Sequence, residues 1–88
     1  MSTKVIELSI PVQERLERLH GELIEFAENP MASRHGVIFW QRINALGEQE
    51  YITHVMNVDS GEFFGGNYFH GDRTSAKADF DRRANIWA

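Results

Sequence analysis

The chain has 88 residues, of which 42% are hydrophobic, 25% charged and 11% aromatic. This composition is typical of a folded domain, and the length predicts a single domain over residues 1–88. There is no cysteine, which excludes disulfides, thiolate catalysis and cysteine-ligated zinc. The formal net charge of −4 argues against unspecific binding to phosphate backbones.

The N-terminal region predicts a cytoplasmic protein that does not bind membranes. It contains no apolar run typical of a signal peptide, and no stretch of the chain approaches the roughly 20 apolar residues that span a bilayer. Apolar and polar side chains alternate from Val5 to Ile10. This alternation predicts an edge strand or an extended arm within residues 1–10.

A first helix is predicted from Pro11 to about Glu28. Pro11 suits a first helical turn, and Asn29-Pro30 is a stop signal. Gly21 interrupts the segment at a cost of roughly 1 kcal/mol relative to alanine, which a kink or a close packing contact would explain. The apolar residues recur at spacings of four, three, four and three: Val12, Leu16, Leu19, Leu23 and Phe26.

Three strands of an antiparallel meander are predicted next, over residues 36–46, 51–58 and 62–70. These segments are rich in β-branched and aromatic residues and are separated by short polar turns. The pair Gly65-Gly66 inside the third segment is typical of a bulge or of a close backbone approach.

A final helix is predicted after a cap at Asp72 or Thr74. Its apolar stripe consists of Ala76, Phe80, Ala84 and Trp87. The predicted fold class is therefore α+β: a helix, a three-stranded antiparallel β-meander and a helix, with both helices on one face of the sheet.

The aromatic residues of the sheet are the main functional signal. Period-two alternation places a mixed aromatic and polar set on the outer face of the sheet: Trp40, Arg42, Tyr51, Thr53, Tyr68 and His70. The alternatives are a reversed register, or an N-terminal arm that covers this face. Such a set is typical of an interface, so the leading hypothesis is a non-enzymatic interaction module that binds a protein partner or forms a homodimer. It predicts that Trp40→Ala keeps the fold but weakens association.

The second hypothesis is RNA binding or metal-independent RNA cleavage. His70 would act in acid/base chemistry, and the C-terminal helix would supply cations for phosphate: Arg73, Lys77, Arg82 and Arg83. The simpler interpretation is a polar turn between the last strand and the last helix, with Asp72 as a cap. The four histidines lack zinc-site spacing, so we predict no metal. The leading hypothesis assigns no cofactor and no catalytic residue.

The predicted order of elements resembles the double-stranded RNA-binding domain. Residues 73–77 occupy the place where that family opens its last helix with adjacent lysines that hold phosphate. Here only Arg73 and Lys77 carry charge, and Asp79 and Asp81 follow, so the family's phosphate clamp is not reproduced. The small size and acidity are similar to those of phage-encoded inhibitors such as anti-CRISPR proteins, a general likeness that covers no residue motif and transfers no function. The leading hypothesis includes an inhibitor or accessory protein of a bacterium or phage.

Overall fold

The computed structural model of the chain describes residues 8–28 and 34–85. The α+β class is confirmed, although the number of strands differs from the prediction. No helix within the described ranges is long and apolar enough to cross a membrane. The elements in chain order are α1 (Ile10–Arg18), β1 (Glu22–Glu28), β2 (His35–Ile43), β3 (Gln49–Asn57), β4 (Phe63–His70) and α2 (Arg73–Asn85).

The four strands form one antiparallel sheet in the order β1-β2-β3-β4. The predicted meander is confirmed as β2, β3 and β4, whose ends lie within a few residues of the expected ones. Trp40 on β2 is paired with Ile52 on β3, and Ile52 is paired with Tyr68 on β4. Because the strands are in register, these three residues lie on the same face of the sheet.

The first correction concerns the predicted helix from residue 11 to 28, because its second half is a strand. The helix α1 ends at Arg18, and the chain turns through His20, whose φ is +56°, and Gly21. A Cβ atom on Gly21 would lie 2.3 Å from Cε3 of Trp40, so the close packing contact suggested for this glycine is present. Residues 22–28 then pair with β2 and add a fourth strand to the predicted three.

The second correction concerns the helices, which cover opposite faces of the sheet. The α1 face packs Val12 and Leu16 against Ile38, Trp40, Ile52 and Met56. The α2 face packs Ala76 and Phe80 against Val37 and Phe39. Successive β2 side chains point to opposite faces, and the uninterrupted burial from Val37 to Trp40 requires cover on both.

The last helix is confirmed from Arg73 to Asn85, with its cap at Asp72. The Asp72 carboxylate accepts hydrogen bonds from the backbone N–H and the hydroxyl of Ser75, and these bonds lower its pKa. Trp87 and residues 1–7 of the predicted strand or arm lie outside the described residues, whereas Leu8 and Ser9 are not in a strand and Ile10 begins α1.

Candidate functional site

The strand register divides the six predicted contact residues between the two faces of the sheet. Arg42 is paired with Glu50, and Glu50 with His70, so these residues lie with Trp40 and Tyr68 on the α1 face. Tyr51 and Thr53 alternate with Glu50 and Ile52 and therefore lie on the α2 face. The expectation that all six share one uncovered face is wrong, because the predicted alternation was shifted by one residue between β2 and β3.

Trp40 belongs to the core rather than to an exposed surface. Its relative exposure is 1%, and its indole N–H donates a 3.0 Å hydrogen bond to Nδ1 of His54. The proposed Trp40→Ala test of association does not suit this position. Truncating a buried Trp removes core packing and typically costs about 3–5 kcal/mol, so the variant would report on folding.

Thr53 and Tyr51 belong to the contact between the sheet and α2. The fully buried hydroxyl of Thr53 donates a 2.6 Å hydrogen bond to the carboxylate of Asp79. The ring of Tyr51 packs against Phe39, and the guanidinium of Arg73 lies 6.0 Å from its centroid. Both residues therefore fix α2 to the sheet.

Beyond α1, the uncovered end of its sheet face carries a row of polar side chains. Glu50 is buried and accepts a 3.0 Å hydrogen bond from Nε of Arg42, while its other carboxylate oxygen lies 3.1 Å from Nε2 of His70. The guanidinium of Arg42 lies 5.5 Å from the Trp40 ring and 6.0 Å from the Tyr68 ring. Arg42, Tyr68 and His70 thus form one contiguous surface patch beside the edge of the sheet.

A cleft of about 520 Å³ lies between this patch and α1. Arg15, Trp40, Arg42, His54, Phe63 and Tyr68 contribute to its walls, and Glu62 lies at its rim. Arg15, Glu50 and His54 were not assigned to the contact set from the sequence. The alternation of Ile52, His54 and Met56 could have placed His54 on the α1 face. The predicted alternation of β3 was shifted by one residue, so it did not.

The hydrogen bond to Trp40 fixes the tautomer of His54. An indole N–H can only donate, so Nδ1 of His54 accepts and the neutral ring carries its proton on Nε2. Burial, and then the positive charges of Arg83 and Arg42, lower the pKa of His54 from 6.5 to about 4. The ring is therefore neutral at pH 7 and presents a hydrogen-bond donor rather than a general base.

The Gly65-Gly66 pair allows His54 to occupy this position. The pairing between β3 and β4 shifts between Thr53 and Val55, and Gly65 has a φ of +55°, so the predicted bulge is confirmed. A Cβ atom on Gly66 would lie 2.4 Å from Nε2 of His54. The predicted close approach is therefore between the backbone of β4 and the His54 ring.

Carboxylates pair with most of the cations assigned to nucleic-acid binding. Lys77 pairs with Glu25 and Asp81. Arg82 and Arg83 both pair with the buried Asp79. Arg73 lies over Tyr51, and His70 contacts Glu50 rather than Arg73. A phosphate would have to compete with carboxylates already in place at Lys77, Arg82 and Arg83.

The two outer strands of the sheet differ in charge. β1 carries Glu22, Glu25 and Glu28, whereas β4 has no charged residue except His70 when protonated. Among the described residues β4 pairs only with β3, so its outer backbone groups form the second edge of the sheet. Tyr68 at the middle of this edge is 50% exposed.

No group of three or more histidine or acidic residues within residues 8–28 and 34–85 is placed to hold a metal ion. Comparisons with protein families, with curated proteins and with solved structures find no match for this chain. The functional proposals below are therefore based on the positions and contacts of the described residues.

Proposed function

We propose that the protein is a non-enzymatic interaction module that pairs with a second copy of itself through β4. The observation that carries the proposal is the contrast between the two edges of the sheet. Charged residues on an edge strand discourage pairing with another chain, and an uncharged edge allows it. β1 has three glutamates, while residues 63–69 of β4 have no charge.

The proposed contact is antiparallel and centred on Tyr68. The carbonyl of Gly65 already accepts a 2.7 Å hydrogen bond from Arg83, and the bulge disturbs the strand there, so the regular edge extends from Gly66 to His70. A twofold axis at Tyr68 places Gly66 opposite His70 and Asn67 opposite Phe69. The two Tyr68 rings then lie side by side, and such a cross-strand aromatic pair contributes about 0.2–1 kcal/mol.

The same symmetry disfavours pairing through β1. A twofold axis at Glu25 would place Glu22 opposite Glu28, and Glu25, which already pairs with Lys77, opposite its own copy. Like charges directly opposite each other in a sheet are destabilising. Pairing of two copies is therefore expected at β4 rather than at β1.

The polar chemistry beside β4 favours binding over catalysis. Nδ1 of His54 accepts the hydrogen bond from Trp40, so the ring offers only the N–H of Nε2. The Glu50 carboxylate contacts both Arg42 and His70. A general base needs an available lone pair or carboxylate oxygen at the reacting position. Both groups are instead engaged in contacts that hold the α1 face.

The test compares the association of four variants by sedimentation. Tyr68→Lys places two ammonium groups opposite each other and is expected to abolish the dimer, whereas Tyr68→Phe should retain it. Leu23→Lys on β1 and Leu46→Lys in the β2–β3 turn are matched controls, because both residues are exposed hydrophobics away from β4. A folded Tyr68→Lys variant that dimerises like the wild type contradicts the proposal. So does loss of the dimer in Leu23→Lys.

A further inference from the structure

We propose that the cleft between α1 and the sheet binds the carboxylate group of a ligand with an aromatic or aliphatic body. This site goes beyond the proposed pairing of β4 and does not rest on it. The cleft is large enough for a small organic acid, with a volume of about 520 Å³.

The first observation is an unused hydrogen-bond donor of a largely buried residue in the cleft wall. His54 is 8% exposed, its Nδ1 accepts from Trp40, and its protonated Nε2 lies beside the backbone of Gly66. Within the described part of the chain this Nε2 forms no hydrogen bond, and since no side-chain donor there is both fully buried and unpaired, the atom is accessible to solvent. Because Gly66 has no side chain, only its backbone lies against the donor.

The second observation is a pair of arginines, Arg15 and Arg42, whose terminal N–H groups donate no hydrogen bond to the described residues. Arg15 uses Nε to donate to the carbonyl of Gly61 at 3.0 Å, and Arg42 uses Nε to donate to Glu50. These two bonds hold the guanidinium groups in place and leave their terminal N–H groups without acceptors among the residues described. Arg15 also has no carboxylate within 4.0 Å there, whereas the charge of Arg42 is shared with Glu50.

The third observation is the apolar character of the remaining walls. Trp40, Phe63 and Leu19 supply them, and Phe63 packs against both Trp40 and His54. Carboxylates accept charge-assisted hydrogen bonds from guanidinium and imidazole N–H groups, which are stronger than neutral ones. An acid with an apolar body would therefore satisfy the donors while it contacts the rings.

The negative charge of Glu62 at the rim repels an anion. Removing this charge should therefore change the affinity in the opposite direction to removing the charge of Arg15. Within the described ranges Glu62 forms no ion pair, so its charge is not cancelled by a neighbour. Glu62→Gln is therefore expected to tighten carboxylate binding, whereas Arg15→Gln is expected to weaken it about tenfold through loss of a charge-assisted bond.

The experiment is a nuclear magnetic resonance titration of the full chain at pH 7, observing the His54 ring and the Trp40 indole N–H. Sodium benzoate represents a free aromatic acid, N-acetylphenylalanine represents the C-terminus of a peptide, and sodium chloride controls for ionic strength. We expect saturable shifts with the two acids and none with chloride. The tighter acid identifies the source of the carboxylate.

Arg18→Gln is the matched control for Arg15→Gln, because Arg18 lies on the exposed side of the same helix. It should leave binding unchanged. Shifts that do not saturate, that match those with chloride, or that weaken equally in Arg15→Gln and Arg18→Gln would overturn the proposal. Since Tyr68 pairing is measured by sedimentation, either proposal can fail without the other.

Discussion

At the scale of single residues, the burial of His54 makes the stability of the fold depend on pH. The folded pKa of His54, about 4, lies below its ordinary value of 6.5, so the unfolded chain binds more protons between these values. The contribution of the neutral ring is fully present above about pH 6.5. It is lost as the pH falls toward the folded pKa.

We predict that the free energy of unfolding falls by about 2 kcal/mol between pH 7 and about pH 4.5 because of His54. Urea denaturation at the two pH values measures this difference. His54→Gln is the matched variant, since its amide oxygen can accept from the Trp40 indole and does not titrate. An equal loss of stability in His54→Gln would show that other groups cause the pH dependence.

A second residue with a structural role is Asp79, which joins α2 to the sheet. Burial raises the pKa of its carboxyl, but hydrogen bonds from Asn67, Thr53 and Arg82, with the charge of Arg83, lower it by more. The net pKa lies below the ordinary 3.8. Asp79 therefore stabilises the fold above about pH 3.8 and loses this effect as the pH falls through its folded pKa.

We predict that Asp79→Asn lowers the free energy of unfolding at pH 7 by roughly 2–4 kcal/mol, because it removes the charge that Arg83 faces. Asp81→Asn is the control, since Asp81 is half exposed and pairs with Lys77 on the surface. Its cost should be about 0.5 kcal/mol or less. Equal costs in urea denaturation would contradict the structural role of Asp79.

At the scale of elements, β2 to β4 and α2 could be predicted from sequence, whereas β1 could not. β-branched and aromatic runs between turn residues marked the meander, and Asp72 marked the start of α2. The apolar residues of 22–28 fit helical spacing as well as a strand paired with β2. The contacts that distinguish the two are the pairing of residues 22–28 with β2 and the packing of Gly21 against Trp40, and both join residues distant in the chain.

The division of side chains between the two faces also depended on long-range pairing. The alternation of side chains within one strand can be predicted from its sequence. Which side chains of β2 and β3 share a face depends on the register, and here Trp40 pairs with Ile52 rather than with Tyr51. Arg42, Tyr68 and His70 were placed together correctly. The cleft could not be predicted, because Arg15 reaches it from a helix whose position over the sheet is set by tertiary packing.

We predict that Gly21→Ala destabilises the protein by about 1–3 kcal/mol although alanine is the better helix former. Its methyl group would lie within 2.6 Å of two carbons of the Trp40 ring. Gly47→Ala is the reference for backbone strain alone: the φ of +78° at Gly47 strains any side chain, but nothing lies within 4 Å of the added Cβ. Thermal unfolding should show the larger loss for Gly21→Ala, and a stabilised variant would contradict the close contact.

At the scale of the whole molecule, the net charge of −4 opposes association of two copies. The proposed contact at β4 consists of backbone hydrogen bonds and aromatic rings and contains no charge pair. Added salt screens the repulsion between the copies without weakening such contacts.

We therefore predict that the dimer tightens modestly when sodium chloride is raised from about 50 mM to about 500 mM. Sedimentation equilibrium at the two salt concentrations measures the change. Binding through phosphate or other ion-pair contacts would respond in the opposite sense. A dimer that dissociates on addition of salt would mean that charged residues, not β4, form the interface.

The pairing of two copies through β4 is tested most directly by the solution mass of the wild-type protein across a range of concentrations. Sedimentation velocity should show a reversible rise from the 10.2 kDa monomer to twice that mass as the concentration increases. A species of 10.2 kDa at every concentration up to the millimolar range would contradict the proposal.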